Sequence, residues 1–213
     1  MVREVVLVFP RMVMDQKFEK PNVPLSIITL GTVLLEKGRK VTLIDQRTDP
    51  DWQRALGQAL ERKPLTVGIS CLSGPPIYFG LQIAAFVKER SNIPVVWGGL
   101  HPTLEPKTTI EHPLVDMLVV GDAEISIIEL VQALEGNLPL SKVGGLIYKE
   151  NGQIIINDYW AQIIPLSEIP PLKFNLVDYS QYKQRIYGFK EERTTVFIET
   201  TRGCCNRCAY CTR

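Results

Sequence analysis

The sequence predicts a doubly wound α/β domain built on a parallel sheet. Short apolar runs rich in valine and isoleucine alternate five times with stretches of helical period. The runs are apolar on both faces, as strands covered by helices on each side must be. Glycine and proline punctuate the boundaries between the two kinds of segment.

The first run, 2–9 (VREVVLVF), reads as a buried strand. Residues 25–37 read as a helix, because Ile27, Leu30 and Leu34 recur on one face and Gly38 stands where a helix-ending glycine belongs. Residues 40–45 (KVTLID) make a second strand ending in Asp45, and 51–62 a polar-faced helix between Pro50 and Pro64. A third strand spans 65–71 (LTVGISC), followed by a helix over 76–90 with Ile77, Leu81, Ala84 and Ala85 on one side. Residues 94–97 are a short strand running into Gly98 and Gly99, and 103–111 a short helix. The fifth strand is 114–120, and the last helix, 123–135, turns Ile127, Leu130, Val131 and Leu134 inward before Gly136. Two strand orders are common for such sheets, and five strands fit 2-1-3-4-5 without remainder, with right-handed crossovers.

After residue 136 the pattern changes. Asn151 and Gly152 separate two β-rich runs, the signal for a hairpin with a type I′ turn. Residues 158–192 hold three prolines and no clean period, so they read as a linker wrapping onto the first domain. A strand over 193–200 (RTTVFIET) then leads into a cysteine-rich run. The expected division is 1–137, 138–192 and 193–213.

At 213 residues the chain can bury a core of useful size. A net charge of +1 gives no general affinity for nucleic acid or acidic membranes. No run approaches the roughly 18 apolar residues of a membrane span. The apolar part of the N-terminus is too short for a secretory leader. Four of the five cysteines crowd the last ten residues, which reads as metal ligation and places the protein in the cytoplasm.

Cys204, Cys208 and Cys211 have the spacing CxxxCxxC in a loop directly after an expected strand. Thiolates suit iron–sulfur clusters, and three from one loop leave one iron of a cubane open to a small molecule. Structural zinc is the alternative, although it usually takes paired CxxC units or nearby histidines. The run Thr201-Arg202-Gly203-Cys204-Cys205-Asn206-Arg207-Cys208-Ala209-Tyr210-Cys211 resembles the signature of the radical S-adenosylmethionine (SAM) superfamily. The resemblance implies a 4Fe-4S cluster on Cys204, Cys208 and Cys211, with SAM chelating the open iron and the backbone at Tyr210 near the adenine. It further implies reductive cleavage of SAM to a 5′-deoxyadenosyl radical, a small-molecule substrate and an electron donor such as a flavodoxin or ferredoxin. Cys205, where relatives often carry proline, is not counted as a ligand. Only Thr212 and Arg213 follow Cys211, whereas a barrel needs on the order of 200 further residues. The expectation is a chain that stops before its catalytic domain, with no catalytic residue of its own.

Ligands of open α/β sheets sit at the carboxyl ends of the strands. GxGxxG and GxxxxGK[ST] are both absent, which excludes the usual nucleotide fingerprints. Small residues end two adjacent strands, Ser70 with Cys71 and Leu72, and Gly98 with Gly99, and Gly121 and Glu124 follow the fifth. By spacing alone such glycines can simply make tight turns. The domain is similar to the cobalamin-binding fold that precedes the radical SAM barrel in one large subgroup. There an SxL segment and a Gly-Gly pair line the channel for the cofactor's nucleotide tail, which assigns Ser70, Leu72, Gly98 and Gly99. The subgroup's GEGE is matched at Gly121 and Glu124, with departures at Asp122 and Ala123. DxHxxG is absent from the first loop, so cobalamin would lack a lower histidine from there. The resemblance implies the first part of a cobalamin-dependent radical SAM enzyme that methylates, rearranges or cyclises its substrate. The rival is a cofactor- or partner-binding module without radical chemistry. His101 and His112 read as hydrogen-bonded loop residues, Cys71 as a small buried hydrophobe, and Asp45 and Asp116 as turn or cap acids.

Overall fold

A computed structural model describes residues 3–18, 21–157, 164–185, 192–194, 196–206, 208–209 and 211. Strands β1 (Glu4–Phe9), β2 (Lys40–Asp45), β3 (Thr66–Ser70), β4 (Val95–Gly98) and β5 (Met117–Val119) alternate with helices α1 (Leu25–Glu36), α2 (Trp52–Glu61), α3 (Pro75–Arg90), α4 (Leu100–Leu104), α5 (Pro106–Glu111) and α6 (Glu124–Leu134). The five strands are parallel in the order 2-1-3-4-5. The hairpin of β6 (Leu146–Glu150) and β7 (Gln153–Ile156) continues the same sheet antiparallel to β5, giving seven strands. Asn151 and Gly152 have φ of 50° and 78°, both positive as a type I′ turn demands.

Strand alternation sorts the core into two layers. Val6, Val8, Val67, Ile69, Val95, Trp97 and Leu118 face α2, α3 and α5. Val5, Leu7, Val96 and Val119 face α1 and α6. Trp97 is 1% exposed and fills the first layer against Gly80, where a Cβ would come within 2.8 Å of its ring. That close helix–sheet approach explains a glycine in mid-helix.

Two expectations need correction. The helix over 103–111 is two short helices, because Pro106 cannot donate to the preceding turn and starts a new helix after Glu105 leaves the helical region at φ −125°. The strand over 193–200 does not form: Arg193 and Thr194 belong to a small hairpin, β8 (Lys183–Arg185) with β9 (Glu192–Thr194), and 196–200 have no regular structure. Among the described residues no strand lies beside 196–200 to pair its backbone, and Phe197 and Ile198 are 52% and 72% exposed.

The segment after the hairpin packs back onto the sheet as expected. Leu172, Phe174, Val177 and Tyr182 join Val23 and Ile28 in a third small core. The Lys173 N–H donates to Thr32 Oγ1 at 2.9 Å, which fixes this strap on α1. Tyr182 is 2% exposed and donates its hydroxyl to Asp45 Oδ2 at 2.9 Å. Arg47 grips the same carboxylate through two nitrogens at 2.9 and 2.7 Å, with its guanidinium 4.1 Å from the centre of the Phe9 ring. Asp45 is thus a turn acid and an anchor at once. Asp116 caps no helix: it accepts the Val95 N–H at 2.6 Å and Lys88 Nζ at 2.5 Å, stapling α3 to the amino ends of β4 and β5. Among the described residues, no helix is long and apolar enough to cross a membrane.

Candidate functional site

The α1/α6 face of the sheet becomes small toward its carboxyl end. Alternation puts Gly68 and Ser70 of β3 and Gly98 of β4 on that face, so three neighbouring positions carry almost no side chain. A cavity of about 750 Å³ opens there, within the range of ligand-binding clefts. Ser70, Gly98, Gly99, Gly121 and Glu124 all lie on its wall. Leu72 does not. The strand ends at Ser70 and the Cys71 carbonyl turns to accept the His101 N–H at 3.1 Å, so the every-second-residue pattern stops before Leu72.

Backbone and hydroxyl bonds hold the strand ends together. Cys71 N–H donates to the Gly98 carbonyl at 2.8 Å. Thr103 Oγ1 donates to the Gly99 carbonyl at 2.8 Å and accepts the Gly121 N–H at 3.0 Å, which ties the loops after β4 and β5. Ser26 and Ser70 share a hydroxyl–hydroxyl bond of 2.9 Å between α1 and β3. Gly99 has φ +95°, and a Cβ there would lie 2.9 Å from the Cys71 carbonyl oxygen. A Cβ on Gly98 would meet only the Val119 carbonyl, at 3.6 Å. Gly99 is therefore required by the backbone, whereas Gly98 leaves cavity space open.

Apolar residues dominate the remaining wall, from α1, from α6 and from the strap at Leu166, Ile169 and Leu172. Charge enters at the exposed Asp122 and at a buried group around Glu124. Glu124, at the start of α6, accepts a 2.6 Å bond from Arg202 Nη2, and Arg202 Nε donates to Glu199 Oε2 at 2.9 Å. The two side chains are 6% and 12% exposed. Burial works against the Arg202 charge, but the hydrogen bonds and charges of Glu124 and Glu199 outweigh it and its pKa is raised. This pair holds the segment that opens the cysteine run against the cavity rim.

Cys204, Cys205, Cys208 and Cys211 are free and exposed. Cys211 N–H donates to the Cys208 carbonyl at 3.0 Å in a tight turn. The three spaced thiols suit a cluster in donor chemistry. Among the described residues, though, no three His, Cys, Asp or Glu side chains are gathered around one point. Tyr210 lies outside the described residues. Cys71 is buried, and burial pushes its thiol up to about 12. His112 is a loop histidine whose Nδ1 accepts the Leu114 N–H at 3.2 Å, whereas His101 is not in a loop: it sits in α4, with Nδ1 3.1 Å from Ser73 Oγ of the loop after β3.

Sequence reasoning missed Gly68, Ser26 and Arg202 as site residues, and it missed that the strap supplies part of the cavity wall. Gly68 had a signal, since glycine inside a buried strand marks a close approach. The others come together only in three dimensions.

Residues 13–131, more than half the chain, match the B12 binding domain family. The chain is 32% identical over 197 residues to an anaerobic magnesium-protoporphyrin IX monomethyl ester cyclase of Synechocystis sp., covering 88% of this chain and 37% of that protein. The radical SAM methyltransferase TsrM from Kitasatospora setae, solved with cobalamin and a 4Fe-4S cluster bound, is 25% identical with a TM-score of 0.63, covering 74% of this chain and 31% of that one. The fold also matches the cobalamin-dependent radical SAM enzyme OxsB with aqua-cobalamin bound, at 22% identity and a TM-score of 0.68, over 82% of this chain and 24% of that one. The chain spans less than half the length of the first two curated relatives, 37% and 40%. The chain belongs to the B12-binding-domain family, and the larger proteins it is similar to include cobalamin-dependent radical SAM enzymes.

Proposed function

We propose that this chain is the cobalamin-holding part of a radical SAM enzyme, with its cysteine run as the cluster-binding start of the catalytic domain. The observation that carries the reading is the Arg202–Glu124 pair, which joins the CxxxCxxC segment to the wall of the small-residue cavity. The residues fit the cofactor. Ser70 and Gly98 leave room between sheet and helix, Gly68 lets Leu7 pack flat against the strand beneath, and Gly99 and Gly121 bring backbone close to whatever enters. In this reading Cys204, Cys208 and Cys211 hold a 4Fe-4S cluster, Cys205 is a bystander, and Tyr210 lies beside SAM. When bound, cobalamin would supply methyl-carrying chemistry and the cluster would supply the electron for reductive cleavage of SAM. This chain contributes positioning rather than a proton-transfer group.

The full enzyme then acts on a small molecule, by methylation, cyclisation or rearrangement, and draws electrons from a small redox protein. In the same reading the cobalamin-holding domain is 1–137, the hairpin and linker 138–192, and the start of the catalytic domain 193–213. Five free thiols support a reducing compartment, the cytoplasm. The test is anaerobic reconstitution with iron and sulfide. Intact protein should retain about four irons per chain. Cys204→Ala, Cys208→Ala and Cys211→Ala should each lose the cluster, and Cys205→Ala should keep it. Tight zinc in place of iron, or an equal dependence on Cys205, would overturn the assignment.

A further inference from the structure

The Glu124–Arg202 pair is incomplete in an informative way. The ion pair uses one oxygen and one nitrogen, Glu124 Oε1 and Arg202 Nη2, and Glu199 takes Arg202 Nε. Glu124 Oε2 and Arg202 Nη1 are both buried and have no hydrogen-bond partner among the described residues. Glu124 is more than nine-tenths buried, and both residues line the cavity. Leaving a charged donor and a charged acceptor buried without partners is costly, and native structures rarely do so without a use.

The two free atoms differ in kind, one acceptor and one donor, on two side chains already bonded to each other. A carboxylate or phosphate would satisfy Arg202 and be repelled by Glu124. An ammonium group would do the reverse. A primary carboxamide that enters the rim and displaces the contacts sealing these two atoms would satisfy both, its N–H donating to Glu124 Oε2 while its oxygen accepts from Arg202 Nη1. The rim of a corrin ring carries several primary carboxamides.

We propose that Glu124 and Arg202 form a carboxamide clamp for the corrinoid, so that occupancy of the cavity also fixes the cysteine segment that begins two residues beyond Arg202. The inference rests on the cobalamin reading above. It differs from a general basic patch because it requires both charges, and it tells an amide from the acid that differs from it by one group.

The 213-residue chain is titrated, by visible absorption, with cobalamin and with a set of corrinoids in which one primary amide at a time is hydrolysed to the carboxylate. One member of the set should bind wild-type protein at least about tenfold more weakly than cobalamin, because its acid faces Glu124. Glu124→Gln should restore binding of that same member, since a neutral amide no longer repels it. Arg202→Met should weaken cobalamin itself by about tenfold. The ligand-side comparison uses wild-type protein, so it stands even if a variant folds poorly. Binding of cobalamin with every hydrolysed corrinoid within about twofold of it would overturn the clamp and leave the cobalamin reading intact. Failure of wild-type protein to bind any corrinoid would overturn both.

Discussion

Replacing Gly99 with alanine tests whether the strand ends are as tightly joined as the geometry says. Gly99 has φ 95° and ψ −166°, a region essentially restricted to glycine, and holding alanine there costs about 1–3 kcal/mol. The new Cβ would also lie 2.9 Å from the Cys71 carbonyl oxygen and 3.2 Å from its nitrogen. Both are backbone atoms fixed by their own hydrogen bonds, so the clash adds about 1–3 kcal/mol of overpacking. Partial relaxation brings the sum to about 2–5 kcal/mol, a large share of the roughly 5–15 kcal/mol that holds a domain folded. For a chain of this size the melting temperature should fall by roughly 5–20 °C. Gly98→Ala is the matched control. Its Cβ meets only the Val119 carbonyl at 3.6 Å and its φ is not positive, so stability should hold or rise by a few tenths of a kcal/mol. Thermal and urea unfolding followed by circular dichroism measure both. A Gly99→Ala variant within about 0.5 kcal/mol of wild type would refute the argument that Gly99 is fixed by the backbone.

Two further outcomes follow from buried titrating groups. The Tyr182 phenol is pushed up by burial first and by the Asp45 charge second, so it stays protonated in the fold while an unfolded chain loses that proton near its ordinary value of 10.0. Its contribution is therefore complete below that value and lost as pH rises beyond it. Alkaline unfolding should start at lower pH in wild type than in Tyr182→Phe once both are normalised to neutral pH, and identical profiles would contradict the assignment. At neutral pH Cys71 should resist a thiol reagent that modifies Cys204, Cys205, Cys208 and Cys211, and should react only on unfolding. Rapid labelling of Cys71 in native protein would show the core of β3 to be open.

The sheet was legible because its information is local. Valine-rich runs, helical periods and the Asn151–Gly152 turn each lie within a few residues, and the strand order follows from five parallel units. The cavity was partly legible. Ser70, Gly98, Gly99, Gly121 and Glu124 stand at strand ends and reach the cavity, but Leu72, assigned with Ser70 as an SxL segment by resemblance, follows a strand that stops at Ser70 and is not on the wall. What sequence could not show is distance. Arg202 and Glu124 are 78 residues apart, Lys173 and Thr32 are 141, and no periodicity joins them. The strand expected over 193–200 shows the opposite failure. Its residues have strand propensity, but a strand forms only where neighbours accept its backbone.

The central claim is that the small residues at the ends of β3 and β4 make room for cobalamin. Equilibrium titration of the chain with cobalamin, in wild type and Gly98→Leu, tests it most directly. The first atom of the leucine fits beside Val119 and the rest must project into the cavity, so the fold should survive. Wild type should bind one equivalent with a change in the corrin spectrum, and Gly98→Leu should keep its melting temperature and lose that binding. An unchanged spectrum with wild type, or equal binding by Gly98→Leu, would contradict the claim.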